Sequence, residues 1–313
     1  MTANGKTVLI TGGTGLVGSA LVPVLLDKGY KVILLSRSAQ APLQASWQSH
    51  PAVQVATWRP EKATIDTNAL EQADHIVHLA GANVAEKRWT AARKKEICDS
   101  RVQSGHLLVS ALQKLSKKPL SFVSASAIGW YGADESDNTT PFREEAPHDR
   151  SFLGDTCKQW EDSIHPLLAM EIRTVILRIG IVLSRRGGAL PEFEKPLRWG
   201  VAPLLGSGKQ IISWIQLEDL VSMIVFAMEQ SGLQGIYNAV APAPASQQLL
   251  MKTLARQRKQ FFIPVRVPSW LLQLMMGEMS IEVLKSTTVS ADKIMATGFH
   301  FRHSTLSEAL AAS

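Results

Sequence analysis

A short apolar run, Thr7-Val8-Leu9-Ile10, leads straight into Thr11-Gly12-Gly13-Thr14-Gly15-Leu16-Val17-Gly18, and a helical pattern then continues to Lys28. A strand that ends on glycines and restarts as a helix leaves the first helical amides without partners inside the helix. Those N–H groups, with the positive end of the helix dipole behind them, form a phosphate site. The spacing assigns the glycines: Gly12 or Gly13 permits the tight turn, Gly15 lets a pyrophosphate approach the backbone, and Gly18 lets the helix pack closely on the sheet. Thr14, Leu16 and Val17 complete the expected cradle.

Beyond this turn, strand and helix signals alternate. Residues 31–35, 53–58, 74–79, 120–124 and 173–179 read as buried strands. They are separated by a polar helix-or-loop stretch to Ser49 and by helical patterns over 90–115 and 151–170. Apolar strands joined by helices predict an α/β protein whose parallel sheet is covered on both faces. Right-handed crossovers then make it a Rossmann-type, doubly wound sheet. After about Leu183, glycines and prolines break the rhythm. The expected organisation is a nucleotide-binding Rossmann core, 1–183, and a smaller mixed C-terminal lobe, 184–313, packed on it and not independent. Within that lobe, Asp219 is expected to cap the helix that includes Leu220 to Glu229, with a ligand contact as the alternative. The apolar stripe from Trp270 to Met279 is expected to be buried packing, with a substrate lid or a subunit contact as alternatives.

The end of the second strand selects the cofactor. A carboxylate about 20 residues past the turn binds the ribose hydroxyls of NAD, but this chain has Ser36-Arg37-Ser38 there. Arg37 suits a 2′-phosphate through charge-assisted hydrogen bonds, so NADP(H) is the expected cofactor. Leu79, Ala80 and Gly81 are expected to pass under its ribose, where small residues let the main chain come close. Ile179 ends a central strand beside the expected nicotinamide, and Trp58 stands either beside the adenine or in the core.

Composition narrows the alternatives. The net charge of +6 over 313 residues comes from scattered basic groups, at 94–95, 117–118, 185–186 and 256–259, without interleaved aromatics. That pattern reads as solvated surface and gives no nucleic-acid site. Two cysteines, Cys98 and Cys157, make neither a disulfide scaffold nor a metal set and fit a reducing cytoplasm. His75, His78, His148 and His165 share no ligand spacing, so no metal is expected. No apolar run approaches the roughly 18–20 residues of a membrane span, and the residues before Thr7 lack the apolar core of a signal peptide. The expected partner is a small-molecule substrate, bound by a cytoplasmic monomer or homodimer.

The motif from Thr11 to Gly18, with His78-Leu79-Ala80-Gly81 after the fourth strand, resembles the extended short-chain dehydrogenase/reductases, the sugar-nucleotide epimerase group. Lys87-Arg88-Trp89-Thr90, Ser100-Arg101, Ser124-Ala125-Ser126-Ala127-Ile128-Gly129-Trp130-Tyr131-Gly132, Trp160-Glu161, Gly206-Ser207-Gly208-Lys209-Gln210, Ser213-Trp214-Ile215, Asp219 and Gly277-Glu278 narrow the likeness. They resemble the bacterial YfcH-like epimerase family proteins, atypical members with a distinctive C-terminal segment. The resemblance implies hydride transfer with a Ser and a Tyr-x-x-x-Lys pair managing the proton. Ser126 matches the serine. Aligning on Glu161 puts Leu153 where the tyrosine belongs and Cys157 where the lysine belongs, while Lys158 lies about 100° further around the helix. Tyr131 is then the expected acid/base, with three alternatives: a substrate-contact or packing role, a catalytic Cys157 thiol, or no proton relay of this kind. Arg88 and Arg101 are expected to hold an anionic group of the substrate or, alternatively, to pair with a carboxylate such as Asp99 or Glu161. The implied function is an NADP(H)-binding oxidoreductase or sugar-nucleotide epimerase-like enzyme acting on a polar, anionic metabolite. A non-catalytic NADP(H)-binding sensor is the alternative.

Overall fold

In the first strand, β1 (Thr7–Thr11), every residue is buried, and the side chains alternate between two separate cores. Val8 and Ile10 point to one face of the sheet and Leu9 to the other, as the period of two requires. The same alternation recurs in β2 (Lys31–Ser36), with Val32 and Leu34 against Ile33 and Leu35. A strand that buries both faces belongs inside a sheet with helices on each side.

The computed structural model describes residues 5–38, 47, 50–135, 140–258 and 262–313. Most of the polar stretch to Ser49, and Lys259, lie outside the described residues. The remaining strands are β3 (Val53–Arg59), β4 (Thr64–Ile65), β5 (His75–His78), β6 (Ser121–Ala127), β7 (Thr174–Ile179), β8 (Ile181–Leu183), β9 (Val201–Leu205), β10 (Ile211–Ile212), β11 (Trp214–Gln216), β12 (Gly235–Ala239), β13 (Ala245–Ser246) and β14 (Ile263–Val267).

The eight-stranded main sheet has the order β12-β7-β6-β5-β1-β2-β3-β4. Its neighbours run parallel except for β3 with β4. The chain grows outward from β1 through β2, returns to β5, and grows the other way, so the switch point lies between β1 and β5, where such sheets bind ligands. Helices Leu16–Asp27 and Leu217–Glu229 cover one face, and helix Ala91–Lys114 covers the other. The predicted Rossmann-type sheet is therefore present.

The expected division at residue 183 is crossed by the chain. β12 completes the main sheet beside β7, and Leu217–Glu229 belongs to the first core, although both follow that point. A third core, which includes Leu183, Leu197, Trp214, Leu254 and Leu310, holds the lobe together around β9 and its parallel partner β14.

Two expectations in this half need correction. In helix Ser269–Met276 only Leu272 is buried, while Trp270, Leu274 and Met275 are 65%, 66% and 67% exposed. Two helical turns resting on one stripe cannot bury the others. Asp219 does not cap its own helix, because the Gln216 side chain accepts the Glu218 N–H there. The fully buried Asp219 carboxylate instead accepts the N–H groups of Arg302 and His303, at 2.8 and 3.0 Å, and ties down the last turns of the chain. Asp219→Ala strands both donors and should lower the free energy of unfolding by about 2 kcal/mol. A urea melt with an unchanged midpoint would refute that role.

Candidate nucleotide and proton-handling site

Gly12 makes the tight turn. Its φ is +70°, and a Cβ there would stand 2.8 Å from the Leu79 carbonyl carbon and oxygen. Gly13 keeps no such dihedral but presses on the Leu34 side chain. The Gly15 N–H donates to Gly12 O at 3.0 Å, and Gly15 opens helix Leu16–Asp27 without a side-chain cap. No acidic residue occupies the first turn. The free amides from Leu16 onward therefore keep their donors and their positive potential for an anion. At Gly18 a side chain would strike Gly12 O and the Gly13 backbone, so the close approach that requires glycine is to the turn itself, where the sheet was expected.

A buried ladder locks this turn to the end of β5. Thr11 Oγ1 accepts the Leu79 and Ala80 N–H groups at 3.1 and 3.2 Å, so its own proton goes to His78 Nδ1 at 2.7 Å. That assigns the hydrogen to His78 Nε2, which faces Ser104 Oγ at 3.2 Å, and Ser104 Oγ donates to Arg101 O. The ladder requires neutral imidazole, and burial, helped by the Arg101 charge, pushes His78 down to about 3. His75, bonded to Ser121 Oγ, is pushed down to about 4, chiefly by burial. Both residues then bind protons more readily when unfolded, so stability is complete above the ordinary histidine range and falls as pH drops from about 6.5 towards 4. The expected slope near pH 5 is about 1.4 kcal/mol per pH unit for each histidine. Urea midpoints measured from pH 7 to 5 should show it, and His78→Gln should flatten it.

At the end of β2, Ser36 Oγ accepts the Ser38 N–H at 3.2 Å. Arg37 is exposed and forms no ion pair among the described residues. Trp58 is buried with its ring edge-on to His78, which is core packing.

The second constellation lies beyond β6. Ser126 Oγ donates to Glu161 Oε1 at 2.6 Å. Arg178 grips both oxygens of Glu161, Nε to Oε1 at 2.9 Å and Nη2 to Oε2 at 3.0 Å. The Arg178 Nη1 donates to Tyr131 Oη and to Glu144 O, both at 3.0 Å, and its guanidinium lies 3.7 Å from the Trp130 ring centre. Tyr131 Oη donates to Asn238 Oδ1 at 2.7 Å. Tyr131 has no exposed surface, and burial pushes its phenol up to about 12. Ser126 and Tyr131, both buried, thus join one network, with the serine at one end and the phenol at the other. The motifs did not point to Arg178, Glu144 or Asn238. A charged residue inside the apolar strand Thr-Val-Ile-Leu-Arg-Ile was the available signal, since arginine is almost never fully buried unpaired.

Leu153 and Cys157, at the tyrosine and lysine positions, both face Gly129. Cys157 Sγ donates to Ala127 O at 3.6 Å, and burial pushes its thiol up to about 12, which leaves no thiolate at neutral pH. Lys158 points away and pairs with Asp162. Ile179 ends β7 beside Ala127. Arg101 rests against Gly81, with its Nη1 donating to Ala82 O and Ile97 O. Arg88 lies on Gly277 of the C-terminal segment, which Lys94 also holds through Glu278. Neither arginine pairs with Asp99 or Glu161, which are taken by Lys95 and Arg178. Among the described residues no His, Cys, Asp or Glu cluster suits a metal ion, and no helix is long and apolar enough to cross a membrane.

Comparisons with known proteins bear on the family and the fold. Residues 8–239 match the NAD dependent epimerase/dehydratase family, and residues 267–313 match a domain of unknown function, DUF1731. An epimerase family protein of Staphylococcus aureus is 35% identical over 97% of this chain and 98% of its own. The crystal structure of the human epimerase family protein SDR39U1 with NADPH has a TM-score of 0.85 and 30% identity, covering 98% of each chain. UDP-glucuronic acid 4-epimerase from Bacillus cereus, solved with UDP-glucuronic acid and NAD, shares the fold at a TM-score of 0.79 and 20% identity, over 98% of this chain and 97% of that one.

Proposed function

Because the chain belongs to the NAD-dependent epimerase/dehydratase family, we propose that it is an NADP(H)-dependent oxidoreductase or epimerase-like enzyme acting on a small, polar, anionic metabolite in the cytoplasm. The observation that carries this reading is the uncapped, acid-free helix start behind the Gly12 turn, with an exposed Arg37 just after β2 that forms no ion pair among the described residues. Gly12, Thr14, Gly15, Leu16 and Val17 would hold the diphosphate, and Ser36 and Arg37 the 2′-phosphate. Leu79, Ala80 and Gly81 would underlie a ribose, with Ile179 at the nicotinamide end. The human relative solved with NADPH supports the phosphorylated cofactor. When bound, the nicotinamide supplies or takes up a hydride.

This chain's own residues would handle the proton. Ser126 directs its hydrogen at Glu161, so its oxygen presents lone pairs to a substrate hydroxyl. Arg178 balances the Glu161 charge and aligns it through a bidentate grip. Tyr131 is assigned a positioning role, holding Arg178 between the network and Asn238. Arg88 would meet an anionic group of the substrate at the edge closed by Gly277. Fluorescence titration with NADPH and NADH tests the reading: NADPH should bind more tightly, and failure to bind either would end it.

The occupation of the dyad positions by Leu153 and Cys157 supports a second reading, a sensor without turnover. A sensor must bind NADP+ and NADPH unequally. Equal affinities, or turnover in a nucleotide-sugar screen, would eliminate it.

A further inference from the structure

We propose that Arg101, reaching over from the neighbouring helix, supplies the cation missing at Cys157 and uses it to hold the hydroxyls of the ribose nearest the nicotinamide. The proposal rests on the NADP(H) reading above. Cys157 occupies the helical position where the resemblance calls for a lysine. The Arg101 guanidinium carbon lies 4.9 Å from the ring centre of Trp160, one turn beyond Cys157 on the same helix, and its charge is felt at the Cys157 thiol. The same guanidinium packs flat against Gly81, where a Cβ would come within 3.1 Å of it.

Two features mark this group as waiting for a ligand. Its Nη1 is held by Ala82 O and Ile97 O, but Nε and Nη2 have no acceptor among the described residues. No carboxylate among them pairs with it. Beneath it, the buried Trp160 Nε1 has no partner among the described residues. Buried donors are normally satisfied, so the Trp160 Nε1 exception calls for an explanation, while the half-exposed Arg101 leaves its Nε and Nη2 open to a ligand. The backbone that Arg101 rests on is the stretch proposed to underlie a ribose, so a sugar bearing two adjacent hydroxyls is the acceptor of matching chemistry and position. A planar fork presents parallel N–H groups to such a pair, and lysine presents only a point charge.

Three ligands separate this role from others: NADPH, 2′-phospho-ADP-ribose, which keeps both riboses without the nicotinamide, and 2′,5′-ADP, which keeps only the adenosine half. Arg101→Gln should weaken the first two by about 10- to 100-fold and leave 2′,5′-ADP within twofold. Arg101→Lys should recover part of the loss, and it carries the test if the glutamine variant does not fold. Unchanged NADPH affinity overturns the proposal, as does an equal loss for 2′,5′-ADP or a loss confined to NADPH. A wild-type protein that binds none of the three overturns the parent reading and this one with it. A wild type that binds all three, unaffected by both substitutions, overturns this one alone.

Discussion

Arg37→Glu should lower NADPH affinity by about 100-fold while leaving NADH binding equal or improved. The effect combines two losses: about 1.5–3 kcal/mol for charge-assisted hydrogen bonds to the 2′-phosphate, and the repulsion between that phosphate and the new carboxylate. The same carboxylate is placed where the ribose hydroxyls of NAD ask for one. Arg37 is suited to the experiment because it is exposed and unpaired among the described residues, so its replacement leaves the fold alone. The titrations belong at one fixed ionic strength, since salt screens the contribution being measured. An NADPH-to-NADH affinity ratio that does not move would show that Arg37 is solvated surface.

The second large effect is on stability. Arg178→Ala removes the cation from a buried carboxylate, and leaving one member of such a pair unmatched typically costs about 3–5 kcal/mol. It also takes donors from Tyr131 Oη and Glu144 O and the face-on contact from Trp130. A loss of that size should appear as a lowered urea midpoint at pH 7. Arg178→Met combined with Glu161→Leu removes both charges and should lose less than the single alanine variant, because replacing a buried ion pair with apolar groups is often close to neutral. If the single variant loses under 1 kcal/mol, the network is not a structural strut. Because Glu161 anchors Ser126, the alanine variant should also abolish any turnover found for the enzyme.

What the sequence revealed was what is local. The turn from Thr11 to Gly18 encodes its shape in adjacent residues, because a positive φ and a close approach each demand glycine at a stated position. Six strands of the main sheet announce themselves by apolar residues, so the doubly wound sheet was legible, although β4 and the edge strand β12 were not. The partners of Asp219 lie more than eighty residues away at Arg302 and His303, and no spacing rule reaches them. Arg178 meets Glu161, Tyr131 and Glu144 only after three separate segments have converged. β14 escaped notice because Pro264 interrupts its pattern, and a strand with one neighbour tolerates proline on its free side. The exposure of Trp270 and Leu274 likewise follows from how much of a short helix its neighbours cover, which composition does not specify.

The place of β12 at the edge of the main sheet bears on how the protein is made. β7 leaves the ribosome with an open hydrogen-bonding edge, and the strand that covers it, Gly235–Ala239, is still to be translated, as is the helix Leu217–Glu229 that seals one face. At about 5–20 residues per second, residues 180–234 take from about 3 to 11 seconds. For that interval the nascent sheet carries bare amides and carbonyls of the kind that recruit stray strands. Truncations ending near residue 183 would freeze the polypeptide at this stage, whereas those ending after residue 239 would have passed it.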